Sequence, residues 1–309
     1  MLCNNVLEAL GNTPLIRLSR MVPAGSAEVL VKYEGVNVGG SVKTRTAYSM
    51  ICDAECRGLI CPDTIIVEPT SGNQGIGLAL IGAVKGYRVR IVMPDSVSEE
   101  RRKLIQAYGA ELVLVHDEGD IGKCIEDCLN TALRMAEEDP NVWVPQQFEN
   151  PANPRIHEEQ TAREILADVP GDIHGFCSGI GTGGTLSGIG NTLKAQYPDM
   201  LIWAVEPENA AILSGGNIGT HLQMGIGDGL IPGNLDQTVY NDIAIITDDE
   251  AINTTKRLIR EEGILCGISS GTNVAAALKL AAKLGEGKTV VTVLPDTGER
   301  YFSTQLFED

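Results

Sequence analysis

Lys43 occupies a position where a charged lysine is disfavoured. It ends the segment Asn37-Val-Gly-Gly-Ser-Val-Lys43, in which two glycines interrupt an apolar, strand-like run and a helical pattern then begins. A helix start presents unpaired N–H groups and the positive end of the helix dipole, which disfavours an ammonium group by about 0.3–1 kcal/mol. Such a lysine is a candidate nucleophile toward carbonyl groups, because only the neutral amine forms a Schiff base. A solvated surface lysine is the alternative, so the interpretation depends on a phosphate site elsewhere in the chain.

A glycine-rich segment supplies that phosphate site. Ser178-Gly-Ile-Gly-Thr-Gly-Gly-Thr185 follows a predicted strand and opens a predicted helix, where successive backbone N–H groups and the helix dipole can hold a phosphate. The segment also matches Gly-x-Gly-x-x-Gly, but Glu206 is only a weak candidate for the acidic ribose ligand of a dinucleotide site. The hydroxyls of Thr182 and Thr185 suit a terminal phosphate monoester better than a pyrophosphate. A tight turn that binds nothing is the alternative.

A phosphate monoester and a carbonyl-reactive lysine together indicate pyridoxal phosphate, which serves as an electron sink for amino-acid carbanions. Glu68-Pro-Thr-Ser-Gly-Asn-Gln-Gly75 lies at another strand-to-helix turn, whose N–H groups and hydroxyls can hold the carboxylate of an amino acid. Gly267-Ile-Ser-Ser-Gly271 offers a hydroxyl for the pyridine nitrogen. A hydroxyl there leaves the ring neutral, which favours β-elimination over transamination.

These segments lie between short β-rich runs that alternate with helical patterns, which predicts an α/β protein with parallel sheets covered on both faces. The predicted strands are 29–33, 64–69, 89–93, 111–115, 173–177, 201–205, 244–246 and 289–294. The predicted helices are 71–85, 98–108, 121–138, 156–167, 184–195, 249–262 and 271–284. Prolines break the pattern near Pro145 and indicate a lobe boundary there. The glycine-rich stretch from Gly215 to Leu235 has few regular signals and is predicted to be a functional loop.

Composition argues against several classes of protein. The 309 residues suffice for two lobes of about 150 residues each. With 24 Lys and Arg against 41 Asp and Glu, the net charge of −17 disfavours binding to nucleic acids and to anionic membranes. No basic leader with an apolar core begins the sequence and no apolar run approaches about 18 residues, so a cytoplasmic protein without membrane contact is expected. Eight cysteines without a Cys-x-x-Cys pair favour free thiols, and no metal site is expected.

Taken together, the motifs resemble the cysteine synthase and cystathionine β-synthase family of fold type II pyridoxal-phosphate enzymes, and most closely the O-acetylserine sulfhydrylase type. The resemblance covers nearly the whole chain. The segments that carry it are Gly11-Asn-Thr-Pro-Leu15, Gly40-Ser-Val-Lys43, Glu68-Pro-Thr-Ser-Gly-Asn73, Gln146-Gln-Phe-Glu-Asn-Pro-Ala-Asn-Pro154, Gly179 to Thr185, Gly267 to Gly271 and Gly298-Glu-Arg-Tyr301.

The resemblance implies a tryptophan synthase β-like fold of two three-layer α/β/α lobes, with mostly parallel sheets and the cofactor between the lobes. Residues 44–145 would form a smaller mobile lobe that carries the substrate-carboxylate loop. Residues 1–43 and 146–309 would form the larger lobe with the phosphate cup. The resemblance also implies a homodimer. Because the sequence ends at Asp309, the regulatory modules of the larger cystathionine synthases are not expected.

The resemblance also assigns roles to residues. Lys43 would form the Schiff base and move the Cα proton, Asn73 would bond the 3′ oxygen of the cofactor, and Ser269 would face the ring nitrogen. The residues expected to bind phosphate are Gly181, Thr182, Gly183, Gly184 and Thr185. The residues expected to bind the substrate are Thr70, Ser71, Gln74 and Gln147.

Several positions depart from the family pattern. Val38 stands where proline is common, Thr44 where aspartate often follows the lysine, and Gln74 where threonine normally ends the carboxylate loop. The longer amide of Gln74 can still donate to a carboxylate, but it fills more of the pocket. The substituent on the substrate's Cβ is therefore expected to be held differently from that of O-acetylserine.

The largest departure is Asp228, in Gly225-Ile-Gly-Asp-Gly-Leu-Ile-Pro232, where the familiar cysteine synthases carry a small residue, usually alanine. A carboxylate there could act as a general base that activates water for attack on the Cβ of an aminoacrylate intermediate, and it would repel hydrosulfide. The leading hypothesis is therefore conversion of L-cysteine and water to L-serine and hydrogen sulfide. A loop-stabilising aspartate is the alternative.

Other reactions stay open at this point. The first is ordinary cysteine synthesis from O-acetylserine and sulfide, with Asp228 incidental. The second is a cystathionine β-synthase-like condensation with homocysteine. A homologue without catalytic activity that binds other proteins is a further alternative, against which the intact Lys43, Asn73 and Ser269 argue.

Overall fold

The computed structural model describes residues 2–70, 72–118, 121–216 and 218–308. The strands are β1 (Leu15–Arg17), β2 (Glu28–Tyr33), β3 (Ile65–Pro69), β4 (Arg88–Pro94), β5 (Glu111–Val115), β6 (Val142–Trp143), β7 (Gly175–Gly179), β8 (Leu201–Pro207), β9 (Asp242–Ile246) and β10 (Thr289–Leu294). The α-helices are α1 (Lys43–Cys56), α2 (Asn73–Lys85), α3 (Glu99–Ala107), α4 (Ile121–Glu138), α5 (Ala152–Ile156), α6 (Ala162–Asp168), α7 (Gly184–Gln196), α8 (Asp248–Glu262) and α9 (Ile268–Leu284).

The strands form two sheets. The larger sheet has the order β1-β2-β10-β7-β8-β9, in which only β1 is antiparallel to its neighbour. The smaller sheet has the order β5-β4-β3-β6, and its pairs are all parallel. The predicted α/β class with mostly parallel sheets is confirmed. The extents of the two lobes, 44–145 against 1–43 with 146–309, stay a prediction.

Both faces of the larger sheet are buried, because successive strand residues point to opposite faces and both sets are apolar. Val29 and Val31 of β2 join a core with residues of α8 and α9, whereas Leu30 between them joins a second core with residues of α6 and α7. The smaller sheet follows the same rule. Its Ile66 packs with residues of α1 and α2, and Val67 packs with residues of α4. Each sheet is therefore the middle of three layers.

The predicted strands agree with the observed ones to within two residues at each end. Strands β1 and β6 were not predicted, because they are too short to show an alternating pattern. The helix predicted from residue 271 begins at Ile268, so Ser269 lies in its first turn. The helix predicted at 156–167 is a longer region in which α5 and α6 flank a π-helical turn at His157–Thr161. Among the described residues, no helix is both long and apolar enough to cross a membrane.

The carboxyl ends of three strands position the segments that carry the chemistry. In parallel sheets ligands bind beyond these ends, where helix N-termini and loops converge. The glycine-rich loop follows β7, and the segment that leads to Tyr301 follows its neighbour β10. The segment from Thr70 to Asn73 follows β3 in the smaller sheet.

Candidate active site

A cavity of about 180 Å³ is lined by residues at the carboxyl ends of β3, β7 and β10. The loop predicted at Gly215 to Leu235 also contributes to its wall, through Met224, Gly225, Ile226, Asp228 and Leu230. The predicted site residues that line it are Lys43, Thr70, Asn73, Gln74, Gln147, Gly181, Thr182, Gly183, Thr185, Asp228 and Ser269. Gly184 does not line the cavity, although its neighbours Gly183 and Thr185 do; it is the first residue of α7. Ser71 lies outside the described residues.

Lys43 is the first residue of α1, and its Nζ donates a hydrogen bond to Thr182 Oγ1 at 3.1 Å. Burial lowers the pKa of Lys43 to about 8, although the negative charges of Asp228 and Glu68 partly oppose this shift. The helix start alone predicts a destabilised ammonium, whereas the largest physical cause of the lowered pKa is the loss of hydration. The neutral amine is therefore more accessible at Lys43 than at a solvated lysine.

The glycine-rich loop forms a cup at the N-terminus of α7, where the first N–H groups of the helix have no intrahelical partners. Gly183 adopts φ 78°, a left-handed conformation that favours glycine. A Cβ on Gly184 would lie 2.1 Å from Asn153 Oδ1. The same Asn153 side chain donates from Nδ2 to Thr182 Oγ1 at 2.9 Å, so the cup requires a glycine in order to keep this contact.

His157 supports the cup from behind. Its Nε2 lies 3.3 Å from Thr185 Oγ1, and its Nδ1 lies 3.0 Å from Thr161 Oγ1. Burial and the charges of Arg45 and Lys43 lower the pKa of His157 well below its usual value. The imidazole is therefore neutral, and it can orient the Thr185 hydroxyl without adding charge to the cup.

The amide of Asn73 is held from both sides. Its Nδ2 donates to Asp296 Oδ2 at 2.7 Å, and its Oδ1 accepts from Arg300 Nη1. Tyr301 donates its hydroxyl to the same carboxylate oxygen at 2.8 Å. An amide nitrogen has two hydrogens, so one stays available for a ligand in the cavity. Asp296 and Arg300 were not predicted as site residues, although the segment Gly298 to Tyr301 is among those that carry the family resemblance.

Glu68 positions the turn that presents Gln147. Its carboxylate accepts from the backbone N–H groups of Gln146 at 3.0 Å and Gln147 at 2.9 Å. Gln146 has φ 55°, an uncommon conformation for a residue with a side chain. Burial raises the pKa of Glu68 to about 7, against the effect of these two hydrogen bonds and of Lys43. The Glu68 carboxyl group therefore holds the turn that carries Gln147. Its position at the start of the segment Glu68 to Gly75 did not indicate this role.

Asp228 borders the same cavity as Lys43. A Cβ on Gly181 of the cup would lie 3.5 Å from Asp228 Oδ2. Burial raises the pKa of Asp228, against the opposing effects of Lys43 and His221. Within the described ranges, no residue donates a hydrogen bond to this carboxylate. A loop-stabilising aspartate would accept such bonds from its own loop.

Other residues hold the Asp228 loop in place. His221 Nε2 donates to the carbonyl of Gly227 at 3.1 Å, while its Nδ1 accepts from the Gln223 N–H at 3.1 Å. The N–H of Gly227 donates to the carbonyl of Ile180 at 2.8 Å. These contacts tie the loop to the strand end that precedes the cup, so the Asp228 side chain is presented to the cavity without stabilising the loop itself.

These groups fit pyridoxal phosphate. The cup offers backbone N–H groups and two threonine hydroxyls for a phosphate. A Cβ on Gly181 would fill this space, because the added carbon would lie 2.4 Å from the carbonyl oxygen of Gly225. Lys43 offers an amine with a lowered pKa, Asn73 an amide hydrogen and Ser269 a buried hydroxyl. Over the described ranges, no cluster of three or more His, Cys, Asp or Glu side chains could hold a metal ion.

Comparison with known proteins agrees with this fit. Residues 6–296 match a family model described as "Pyridoxal-phosphate dependent enzyme". The chain is 48% identical to a cysteine synthase of Staphylococcus aureus (strain Mu50 / ATCC 700699), over 98% of this chain and 97% of the relative. A solved structure of O-ureido-L-serine synthase is 45% identical, with a TM-score of 0.94 over 99% of this chain and 96% of that one. A hydrogen sulfide-producing enzyme from Fusobacterium nucleatum is 42% identical, with a TM-score of 0.91 over 97% of this chain and 100% of that one.

Proposed function

Because the chain belongs to the family of pyridoxal-phosphate dependent enzymes, we propose that it converts L-cysteine and water to L-serine and hydrogen sulfide. In this reaction the Cβ–S bond breaks, the sulfur leaves as hydrosulfide and takes up a proton, and a Cβ–O bond forms from water. When bound, pyridoxal phosphate supplies an aldehyde for the amino group of the substrate and a ring that withdraws electrons from Cα. The chain itself must bind the amino acid, move protons and activate water.

Lys43 is proposed to move the proton at Cα. Its Nζ borders the cavity, and its pKa of about 8 makes both protonation states accessible near neutral pH. The amine can therefore remove the Cα proton and return it to the product. Its contact with Thr182 holds Nζ beside the phosphate cup before substrate binds.

Asp228 is proposed to be the general base for water, and this residue carries the proposal. Its carboxylate borders the cavity and accepts no hydrogen bond from any described residue, so it is available to a water molecule. In its ionised form it can take the proton of that water as oxygen attacks Cβ. The same negative charge disfavours the approach of hydrosulfide, which favours release of sulfide over its uptake.

The substrate carboxylate is proposed to bind at Thr70, Ser71, Gln74 and Gln147. Thr70 and Gln74 border the cavity, and Gln147 faces it from the turn that Glu68 holds. A helix N-terminus is a favourable environment for an anion. The hydrogen sulfide-producing relative supports the release of sulfide in a chain of this fold.

Cysteine synthesis from O-acetylserine and sulfide is the second candidate. The observation that favours it is the 48% identity with a cysteine synthase over almost the whole of both chains. Condensation with homocysteine and a binding role without catalysis stay as lesser alternatives. Assembly into a homodimer and a cytoplasmic location stay predictions.

The test is to incubate the purified holoenzyme with L-cysteine alone and to measure serine and sulfide. Asp228→Asn keeps the shape of the side chain but cannot take up a proton from water. Serine formation by this variant is expected to fall about 100-fold or more, the usual contribution of a general base. Asp236→Asn is the matched control, because it makes the same change close to the loop, where Asp236 contacts Thr238 instead of the cavity.

The proposal is wrong if L-cysteine yields no serine, or if Asp228→Asn forms serine at the parental rate. Parallel reactions with O-acetylserine and sulfide compare the two candidates directly. The cysteine synthase candidate would be favoured if the parental enzyme forms cysteine faster than serine and if Asp228→Asn leaves the rate of cysteine formation unchanged.

A further inference from the structure

The side-chain amide of Asn153 connects two parts of the cavity wall. Asn153 lies in α5 and is fully buried. Its Nδ2 donates to the carbonyl oxygen of Gln147 at 2.8 Å and to the hydroxyl of Thr182 at 2.9 Å. Gln147 belongs to the turn that Glu68 holds, Thr182 belongs to the phosphate cup, and both residues line the cavity. Both hydrogens of the amide nitrogen are therefore used, one on each side.

The contact with Gln147 fixes the orientation of the Asn153 amide. A backbone carbonyl has no hydrogen, so the amide nitrogen must face it, and the amide oxygen in the same place would be repelled. Oδ1 instead lies close to Gly184 and has no hydrogen-bond partner in the described part of the chain. The amide is therefore oriented by its two donor contacts.

This orientation determines the role of the Thr182 hydroxyl. Its Oγ1 accepts hydrogen bonds from Asn153 Nδ2 at 2.9 Å and from Lys43 Nζ at 3.1 Å. A hydroxyl oxygen has two acceptor positions and one hydrogen. Because both acceptor positions are filled, the hydrogen of Thr182 remains available to donate. The hydroxyl is therefore prepared as a donor, which is what the oxygen of a phosphate requires.

Asn234 provides a comparison within the same site. Its Nδ2 donates to the same carbonyl oxygen of Gln147 at 2.9 Å, and the side chain is 8% exposed. Within the described ranges, however, the amide of Asn234 makes no hydrogen bond to Thr182. The two asparagines therefore share the contact with Gln147 and differ in the contact with the cup.

We infer that Asn153 is a positioning residue that serves the cofactor and the substrate together. Through Thr182 it keeps a hydroxyl as a donor for the phosphate, and through the carbonyl of Gln147 it holds the turn proposed to bind the amino acid. The second part rests on the function proposed above, whereas the first part rests on the fit of the cup to a phosphate. Asn153 lies in one of the segments that carry the family resemblance, but no role was predicted for it.

The first measurement is the affinity of the cofactor-free protein for pyridoxal phosphate, followed by its visible absorbance. Asn153→Leu removes both donor contacts at similar side-chain size, and Asn234→Leu, the matched control, removes only the contact with Gln147. Asn153→Leu is expected to weaken binding about tenfold or more, because nothing then holds the Thr182 hydroxyl as a donor. Asn234→Leu is expected to stay within about twofold of the parental affinity, because its amide does not contact the cup.

Two further readouts separate positioning from a general structural role. The phosphorus NMR resonance of the bound cofactor reports the hydrogen bonds of its phosphate. It should shift in Asn153→Leu and keep the parental position in Asn234→Leu. In a Thr182→Val background, Asn153→Leu should weaken cofactor binding much less than in the parental background, because the hydroxyl through which Asn153 acts is already absent. An equal loss in both backgrounds would indicate a packing defect and would contradict the inference.

The contact with Gln147 is tested through the substrate. KM and kcat are measured for L-cysteine and for O-acetylserine with sulfide, so the test does not depend on which of these reactions the enzyme catalyses. Asn153→Leu and Asn234→Leu are both expected to raise KM about fivefold with a smaller change in kcat, because each removes one of two hydrogen bonds to the Gln147 carbonyl. If neither variant changes KM, the part of the inference that concerns the substrate is refuted.

The inference is overturned if Asn153→Leu binds pyridoxal phosphate as tightly as the parental protein, if Asn234→Leu weakens binding to the same extent, or if the phosphorus resonance does not move. Failure of the water-activation proposal would be seen in serine formation and in Asp228→Asn. The cofactor affinity and the phosphorus resonance require no turnover, so the two failures can be distinguished.

A second pair of variants decides the question if Asn153→Leu does not fold. Asn153→Asp keeps the shape of the side chain, but its carboxylate cannot donate and would accept the hydrogen of the Thr182 hydroxyl. Asn234→Asp is its control, because it introduces the same charge at the other donor to Gln147. Asn153→Asp should weaken binding of pyridoxal phosphate more than Asn234→Asp does, and equal losses in the two variants would overturn the inference.

Discussion

Lys43 combines a helix start with burial, and the negative charges of Asp228 and Glu68 only partly offset the cost of its ammonium. Without cofactor its ammonium is costly, because burial lowers its pKa from 10.5 to about 8. A shift of this size corresponds to about 3 kcal/mol in the cost of a charged lysine in the folded chain relative to the unfolded chain. Function at this position is therefore maintained at the expense of stability in the cofactor-free protein.

Lys43→Met is expected to stabilise the cofactor-free protein by about 2 kcal/mol at pH 7. Between about pH 8 and 10.5 the unfolded chain binds more protons at Lys43 than the folded chain does, so the parental protein gains stability as the pH rises. The advantage of the variant should therefore be greatest below pH 8 and fade above it. Urea unfolding of both cofactor-free proteins at several pH values measures this. An advantage that grows with pH would contradict the prediction.

At the scale of elements, the start of α7 decides whether phosphate can be held. The cup depends on close packing between Gly184 and the side chain of Asn153, which in turn holds the Thr182 hydroxyl. Backbone N–H groups bind an anion only if no side chain blocks their approach. The glycines of this loop are therefore required by space as well as by backbone conformation.

Gly184→Ala is expected to weaken binding of pyridoxal phosphate at least about tenfold, which corresponds to about 1.4 kcal/mol. The added Cβ would lie 2.1 Å from Asn153 Oδ1 and must displace that side chain. Titration of the cofactor-free variant with pyridoxal phosphate, followed by its visible absorbance, measures the affinity. Gly171→Ala is the control, because a Cβ there has no atom within 4 Å. Equal affinities for the two variants would refute this account of the cup.

At the scale of the whole molecule, a buried ionic network fixes α1 relative to the larger sheet. Arg45 donates to Glu34 Oε2 at 2.9 Å and to Glu164 Oε1 at 2.7 Å, and Lys32 lies 2.9 Å from Glu164 Oε2. Arg45 and Glu34 are fully buried. Glu34 follows β2 and Glu164 lies on α6, so the network connects these elements to the helix that begins with Lys43.

Arg45→Met is expected to lower the free energy of unfolding by about 3–5 kcal/mol, because it leaves the Glu34 carboxylate buried without its partner. Denaturant unfolding of the holoenzyme and the cofactor-free protein measures the loss. Arg17→Met breaks the exposed ion pair with Glu28 and should change stability by less than about 1 kcal/mol. If Arg45→Met and Arg17→Met lower the free energy of unfolding by comparable amounts, burial of the network does not contribute to stability.

The fold and the cofactor were largely predictable because their signals are local. Alternating apolar runs indicated the parallel sheets, and the spacing of glycines and threonines indicated the cup at Gly181 to Thr185. Asp296, Glu68 and Asn153 were not predicted as site residues. Each acts through partners far away in sequence, as when Asp296 accepts a hydrogen bond from Asn73.

The amino-acid sequence by itself determined the α/β class, the family and the cofactor, because hydrophobic period, strand-to-helix turns and the Lys43 segment are encoded within short stretches. Only the tertiary structure decided that burial, rather than the helix start, is the main cause of the lowered pKa of Lys43. It also decided that Asp228 borders the cavity without a described hydrogen-bond donor, and that the Asn153 amide donates to both Gln147 and Thr182. Burial and hydrogen-bond partners are properties of packing between distant segments, so no local pattern can reveal them.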